Sequence, residues 1–222
     1  AFAAEHPVKR LLLGEHVPAE EKESIRAEKV ILLSDNGGKT VSPSVPCVYK
    51  YQSSDAIVRD VMTWYGESPG ELPEVSGRGL AKVLGVYSPV GRCLKTSFAL
   101  TMGKLLAQEE RVLYLNLEEY SGFEDLFDLH YRTDITDLIY FARQKEGSLI
   151  YKLNSVIQSF HSLQYIPPAL FSADLRDVSG EEWLAFLKEI MTYCEYDVII
   201  LDIGSQVDEL FKLLQKCEKI YM

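Results

Sequence analysis

The run Tyr196–Asp202, YDVIILD, constrains the fold most: an uninterrupted apolar segment of this length is what a strand buried on both faces of a parallel sheet requires. Parallel strands need crossover connections, so helices should alternate with strands along the chain. Lys82–Tyr87 reads as a strand, Thr96–Gln108 as a helix with Phe98, Met102, Leu105 and Leu106 inward, and Arg111–Leu117 as a second strand. Leu138–Arg143 and Leu149–Phe160 read as helices, and Leu163–Ile166, ahead of Pro167 and Pro168, as a short buried strand. Ser179 and Glu182 have capping-box spacing before Trp183, Phe186, Leu187 and Ile190, which predicts a helix over about 180–194. A helix over Gln206–Gln215 and a strand beginning at Lys219 complete the series. The expected architecture is a doubly wound α/β sheet whose ligand site lies at the C-terminal strand ends.

Before residue 65 the alternation is shorter: Val8–Leu13, Ala19–Ala27, Val30–Leu33, Cys47–Tyr51 and Ser54–Trp64 read as β-α-β-loop-β-α. Gly66–Arg78, GESPGELPEVSGR, has linker composition, with prolines and glycines among acids. The expected organisation is therefore a first domain over 1–65, a linker over 66–80 and a second domain over 81–222. The chain opens just before a strand and closes on one, which suggests that both domains are incomplete.

Net charge, cysteine usage and hydropathy exclude several classes. At −10 overall, with no basic run longer than two residues, the chain offers no broad nucleic-acid surface. Cys47, Cys93, Cys194 and Cys217 are widely spaced and form no metal-ligand pattern, so reduced thiols in a cytoplasmic protein are expected. His6, His16, His130 and His161 stand alone, and Tyr114, Tyr140 and Tyr165 fall in apolar patterns at the expected core edge. No stretch of about 18 apolar residues is present to span a membrane.

The chemistry concentrates in LGVYSPVGRCLKTSFALTMGKLL, residues 84–106, where an apolar strand enters a turn, passes Lys95 and Thr96 and leaves as a helix. Such a turn can cradle a phosphate on backbone N–H groups and a helix N-terminus, with the lysine neutralising it and the hydroxyl holding Mg²⁺. Gly91, Arg92, Lys95 and Thr96 are the candidate ATP-binding residues, with Thr96 and Asp202 the candidates for Mg²⁺. Glu118 and Asp202 are the candidate catalytic acids: both close strands at the same sheet edge, and Glu118 could orient an attacking water. Against each stands a plainer role: a strand-to-helix turn for the loop, a helix cap for Asp202 and a solvated loop acid for Glu118.

Lys95-Thr96, Glu118 and Asp202, in that order and at those strand ends, make residues 82–222 resemble the ParA/MinD family of bacterial deviant Walker-A ATPases. The nearest likeness is its CpaE-like branch, in which a receiver-like domain precedes the ATPase-like one. VLYLNLEEYSGFEDLF, YIPPA and YDVIILDIG are similar to that family's second strand, its proline segment and its Walker-B strand. The family loop, roughly K-G-G-x-G-K-[ST], departs here: Val90 stands where the resemblance implies a cross-dimer lysine, and Leu94 stands where it implies the last glycine. Side chains at glycine positions of such a loop cost about 1–3 kcal/mol per strained residue. In the first domain the resemblance to a receiver aligns Gly14 with the phosphorylatable Asp, Pro18 with the following proline, Ser34 with the hydroxyl and Lys50 with the lysine. It implies a non-phosphorylatable pseudo-receiver joined to a regulatory or positioning domain with a degenerate ATP/Mg site. Protein partners, a homodimer through the loop face, and peripheral membrane contact would fit. The alternative is an active ATPase cycling between nucleotide-bound dimer and monomer.

Overall fold

Alternating apolar and polar residues, interrupted by turn formers, fold in the computed structural model into two compact units, one up to Tyr65 and one from Gly66. The structure describes residues 8–18, 27–36, 46–66, 81–90, 93–124, 131–144 and 149–222. The expected linker beyond Gly66 and nearly all of the helix expected at Ala19–Ala27 lie outside them.

In the first unit β1 (Val8–Gly14), β2 (Ala27–Ser34) and β3 (Cys47–Tyr49) pair in parallel in that order, and α1 (Ser54–Gly66) follows. Among the described residues Leu13, Ile31 and Val48 are its buried apolar strand residues, and Ser34 at the end of β2 is buried with them. At the C-terminal strand ends Lys50 Nζ lies 2.5 Å from Asp35 Oδ1. Glu15 accepts hydrogen bonds there from the Ser34 hydroxyl (3.3 Å) and the Asp35 amide (3.1 Å).

The second unit carries β4 (Lys82–Tyr87), α2 (Lys95–Leu106), β5 (Val112–Leu117), α3 (Ile135–Gln144) and α4 (Leu149–Val156). It continues with β6 (Gln158–Phe160), β7 (Leu163–Ile166), α5 (Ser172–Arg176), α6 (Gly180–Tyr193), β8 (Val198–Ile203), α7 (Leu210–Lys216) and β9 (Lys219–Tyr221). The sheet order is β6-β7-β5-β8-β4-β9, and every pairing is parallel except the β6–β7 hairpin. All six residues of β8 are buried, as its apolar run requires. One face of the sheet packs on α2; the other packs on Ile135, Leu138, Leu153, Trp183, Phe186 and Ile190 of α3, α4 and α6. The capping box forms: Ser179 accepts from the Glu182 amide while Glu182 accepts from the Ser179 amide, and Arg143 pairs with the same carboxylate, holding its pKa down at about 2.

Several expectations are corrected. The helix expected over Leu149–Phe160 stops at Val156, because a turn with His161 at φ 55° folds Gln158–Phe160 back on β7. The last helix begins at Leu210 rather than Gln206, and α5 is a short helix additional to the expected elements. In α2 the buried residues are Ala99 and Gly103, whereas Phe98 and Leu105 are exposed. The helix lies so close to the sheet that a Cβ on Gly103 would meet Leu163 Cδ1 at 3.1 Å and Ile200 Cδ1 at 3.2 Å, leaving room only for small residues on that side. Phe98 instead packs on Tyr221, with ring centroids 5.5 Å apart. Tyr140 is exposed, while Tyr114 and Tyr165 are fully buried.

Candidate functional site

The parallel register builds the site at one sheet edge. β8 is flanked on both sides, Asp202 pairing across with Val86 of β4 and Asn116 of β5. The residues that leave these strands therefore converge: the loop after Tyr87, Glu118 after β5 and Gly204 after β8. Gly204 makes this convergence possible. Its amide donates to the Leu117 carbonyl at 3.1 Å, and a Cβ there would stand 2.6 Å from that oxygen.

Lys95, the first residue of α2, occupies the centre with a side chain only 10% exposed. Its ammonium contacts the Glu118 carboxylate, donates to the Ile203 carbonyl at 2.5 Å and lies 3.6 Å from Asp202 Oδ1. Asp202 is completely buried. Burial raises its pKa, while the Thr96 hydroxyl, the Tyr114 phenol and the Lys95 ammonium counter that rise. Asp202 Oδ2 accepts from the Tyr114 hydroxyl at 2.8 Å; Oδ1 has no partner in hydrogen-bonding geometry.

Above these groups opens a cavity of about 400 Å³, bounded by Ser88, Val90, Cys93, Leu94, Lys95, Thr96, Glu118, Tyr120 and Ser205. A space of that size accepts the polyphosphate part of a nucleotide, and it is lined by Lys95, Thr96 and Ser97 of the first turn of α2, where a helix has N–H groups without intrahelical partners. Of the candidate residues, Lys95, Thr96, Glu118 and Asp202 are brought together; Gly91 and Arg92 lie outside the described residues. Asp202 is part of β8 and caps no helix, and Glu118 is paired rather than freely solvated. Tyr114 and Asn116 belong to the site as well. Their signal was two polar-capable residues at alternate positions of a strand otherwise built of Leu and Val.

Leu94 caps α2 at φ 60° and ψ 23°, the left-handed conformation that the missing glycine would take freely. For leucine that geometry costs about 1–2 kcal/mol, and glycine gives back about 0.5–1 kcal/mol of this through its larger unfolded-state entropy. The Leu94 side chain is exposed, so little packing is lost on removing it. Leu94→Gly is thus expected to stabilise the protein by about 0.5–1 kcal/mol. A melting temperature below that of the parent would show that the leucine serves the folded loop.

A divalent ion fits this donor set only partly on its own. Among the described residues no three of His, Cys, Asp or Glu converge, but the Asp202 carboxylate, whose Oδ1 has no hydrogen-bond partner, together with the Thr96 hydroxyl that acts on it, matches the protein share of a Mg²⁺ site completed by phosphate oxygens and water. No helix among the described residues is long and apolar enough to cross a membrane.

The chain matches no protein-family model and no curated protein. Solved structures do resemble it, and one with a TM-score of 0.53 shares its fold. A ParA family ATPase from Chlorobium tepidum TLS matches 64% of this chain over 59% of its own length, with a TM-score of 0.53 and 19% identity. A plasmid partition protein from Borrelia burgdorferi B31, bound to AMPPNP, matches 63% of the chain over 60% of its own, with a TM-score of 0.49 and 18% identity. The MinC:MinD cell division complex of Aquifex aeolicus matches 63% over 55%, with a TM-score of 0.45 and 19% identity. The chain thus spans about three-fifths of the length of the structures it matches. At 19% identity the likeness to the Chlorobium protein is one of fold: an α/β sheet, mostly parallel, arranged as in that ParA family ATPase.

Proposed function

We propose that residues 81–222 form an ATP- and Mg²⁺-binding switch domain of the ParA/MinD kind, with a degenerate loop, in a CpaE-like regulatory or positioning protein. The observation that carries this reading is the Lys95 ammonium, held almost out of solvent at the head of α2 between Glu118, Asp202 and the Ile203 carbonyl, beneath the cavity. Lys95 would meet the phosphates, and Thr96 with Asp202 Oδ1 would hold Mg²⁺, which when bound supplies charge neutralisation for the phosphate oxygens.

Glu118 has two parts in this scheme. Without nucleotide it neutralises Lys95, so phosphate must compete with it; once displaced, it stands at the cavity wall where a water could be oriented. Glu118→Gln is accordingly expected to tighten ATP binding by about 10-fold, since one charged competitor and one repulsive charge are removed together. Calorimetric titration of the whole chain with ATP and Mg²⁺ tests both statements. No binding at millimolar ATP would end the nucleotide reading, and unchanged affinity in Glu118→Gln would end the competition.

The strained Leu94 and the exposed Val90 at the cavity rim support a regulator over an efficient enzyme. The complete set of Lys95, Thr96, Glu118 and Asp202 supports the second reading, an active ATPase switch, and steady phosphate release from the bound complex would favour it. Residues 1–65 would act as a pseudo-receiver for docking, since Gly14 offers no acceptor carboxylate, with 66–80 as the linker. Protein partners, pairing of two copies through the loop face and a cytoplasmic setting complete the proposal.

A further inference from the structure

A buried polar chain runs along β5 behind the phosphate cavity. Tyr114 and Asn116 project from the same face of the strand, and Asp202 stands opposite Asn116 on β8. The Tyr114 hydroxyl donates to Asp202 Oδ2 at 2.8 Å and accepts from Asn116 Nδ2 at 3.0 Å; Asn116 Oδ1 in turn accepts from the Glu118 amide at 2.9 Å. The Asp202 carboxylate is thus joined to the main chain of Glu118 through two neutral side chains, both fully buried.

Packing alone does not call for this hydroxyl. Phenylalanine would fill the same space against Phe123, whose ring lies 5.7 Å away and is tilted only 7° from that of Tyr114. A buried hydroxyl is costly unless both its donor and acceptor capacities are used, and here both are spent on the site. The ring cannot swing away, because Phe123 is held in turn by Tyr165 at 5.7 Å, edge to face, and the Tyr165 hydroxyl shares a 2.9 Å hydrogen bond with Tyr131. The consequence appears at the carboxylate. Oδ2 is taken up from behind, and Oδ1 is the oxygen left facing the Lys95 ammonium at 3.6 Å, with no hydrogen-bond partner of its own.

We infer that Tyr114 is a positioning residue that fixes the Asp202 carboxylate so that Oδ1 alone is presented to a phosphate-bound Mg²⁺, with Asn116 holding the phenol in register. This role rests on the nucleotide reading above and goes beyond it by assigning the orientation of the metal-facing acid to two core residues of the neighbouring strand.

The test uses the whole chain. ATP is titrated calorimetrically at a series of Mg²⁺ concentrations into the parent protein, Tyr114→Phe and Asn116→Ala. Tyr114→Phe is expected to raise the Mg²⁺ concentration for half-maximal effect by about 10-fold, as removal of a hydrogen bond behind a metal-facing ligand typically does, while affinity for ATP without Mg²⁺ stays within about twofold. Asn116→Ala should move the same quantity in the same direction, and it serves if Tyr114→Phe does not fold. A metal-free readout accompanies these: in a cycle of melting temperatures with Tyr114→Phe, Asp202→Asn and the double variant, the two changes should be non-additive. Coupling in the cycle with an unchanged Mg²⁺ requirement would make the pair merely structural and overturn the inference, as would additivity. A parent protein that binds no ATP at any Mg²⁺ concentration would remove the nucleotide reading itself, and the positioning role with it.

Discussion

Lys95→Ala is expected to lower ATP affinity by about 100-fold or more, the usual consequence of truncating one partner of a desolvated charge pair at a binding site. The same change should weaken the fold. Lys95 is the cation that compensates Glu118 and the completely buried Asp202, and its removal leaves two acids facing each other at the sheet edge. Uncompensated charge of this kind costs about 2–4 kcal/mol. For a chain of this size, that corresponds to a fall of roughly 5–15 °C in melting temperature. Adding Glu118→Gln to Lys95→Ala should return part of the stability but, beyond the relief of one charge repelling phosphate, little of the affinity, which separates the two functions of the lysine. If Lys95→Ala melts with the parent, the ammonium does not compensate the acids; if it binds ATP like the parent, Lys95 does not contact phosphate.

The second large effect is expected at Gly204, where no flexible side chain can yield. A methyl group there would press on the Leu117 carbonyl oxygen at 2.6 Å and on Glu118 Cα at 3.2 Å, both backbone atoms of the neighbouring strand exit. Gly204→Ala should therefore cost about 2–3 kcal/mol and push the ends of β5 and β8 apart, loosening the contact between Lys95 and Glu118. Gly14→Ala provides the control: no atom lies within 4 Å of the added carbon, and a change under about 0.5 kcal/mol is expected. Chemical denaturation of the two variants measures both numbers, and equal losses would mean that the close approach at Gly204 does not constrain the fold.

Much of this arrangement is legible along the chain because it is written in local terms. The apolar runs of β4, β5 and β8 follow from burial on two faces, and the capped start of α6 follows from Ser179 and Glu182. Lys95 and Thr96 could be proposed because they open a helix after the turn that follows a strand, and Asp202 because it stands at the end of a buried strand. What could not be read depends on neighbours distant in sequence. The buried stripe of α2 is set by how closely Leu163 and Ile200 approach, so Gly103 faces inward and Phe98 outward although Phe98 is much the more hydrophobic. Tyr114 looked like an ordinary core residue because its hydroxyl finds its partner on a strand 88 positions away. Glu118 could be proposed as an acid at the same strand ends, but its pairing with Lys95 could not, since nothing near it in the chain announces that lysine.

The place of β8 in the sheet also governs how the molecule comes into being. β4 and β5 do not pair with each other; both pair with β8, whose residues follow them by more than eighty positions. During synthesis the ribosome releases the loop, α2 and β5 well before the strand that joins them, so their inner edges wait unpaired until Val198–Ile203 has emerged. Long-range parallel pairing of this kind forms slowly and leaves apolar edges open to mispairing in the meantime. Because the same late strand brings Asp202 and the Ile203 carbonyl to Lys95, the cluster around this lysine is not an early local structure. It is completed only when the sheet closes, and a nascent chain has no such site to offer.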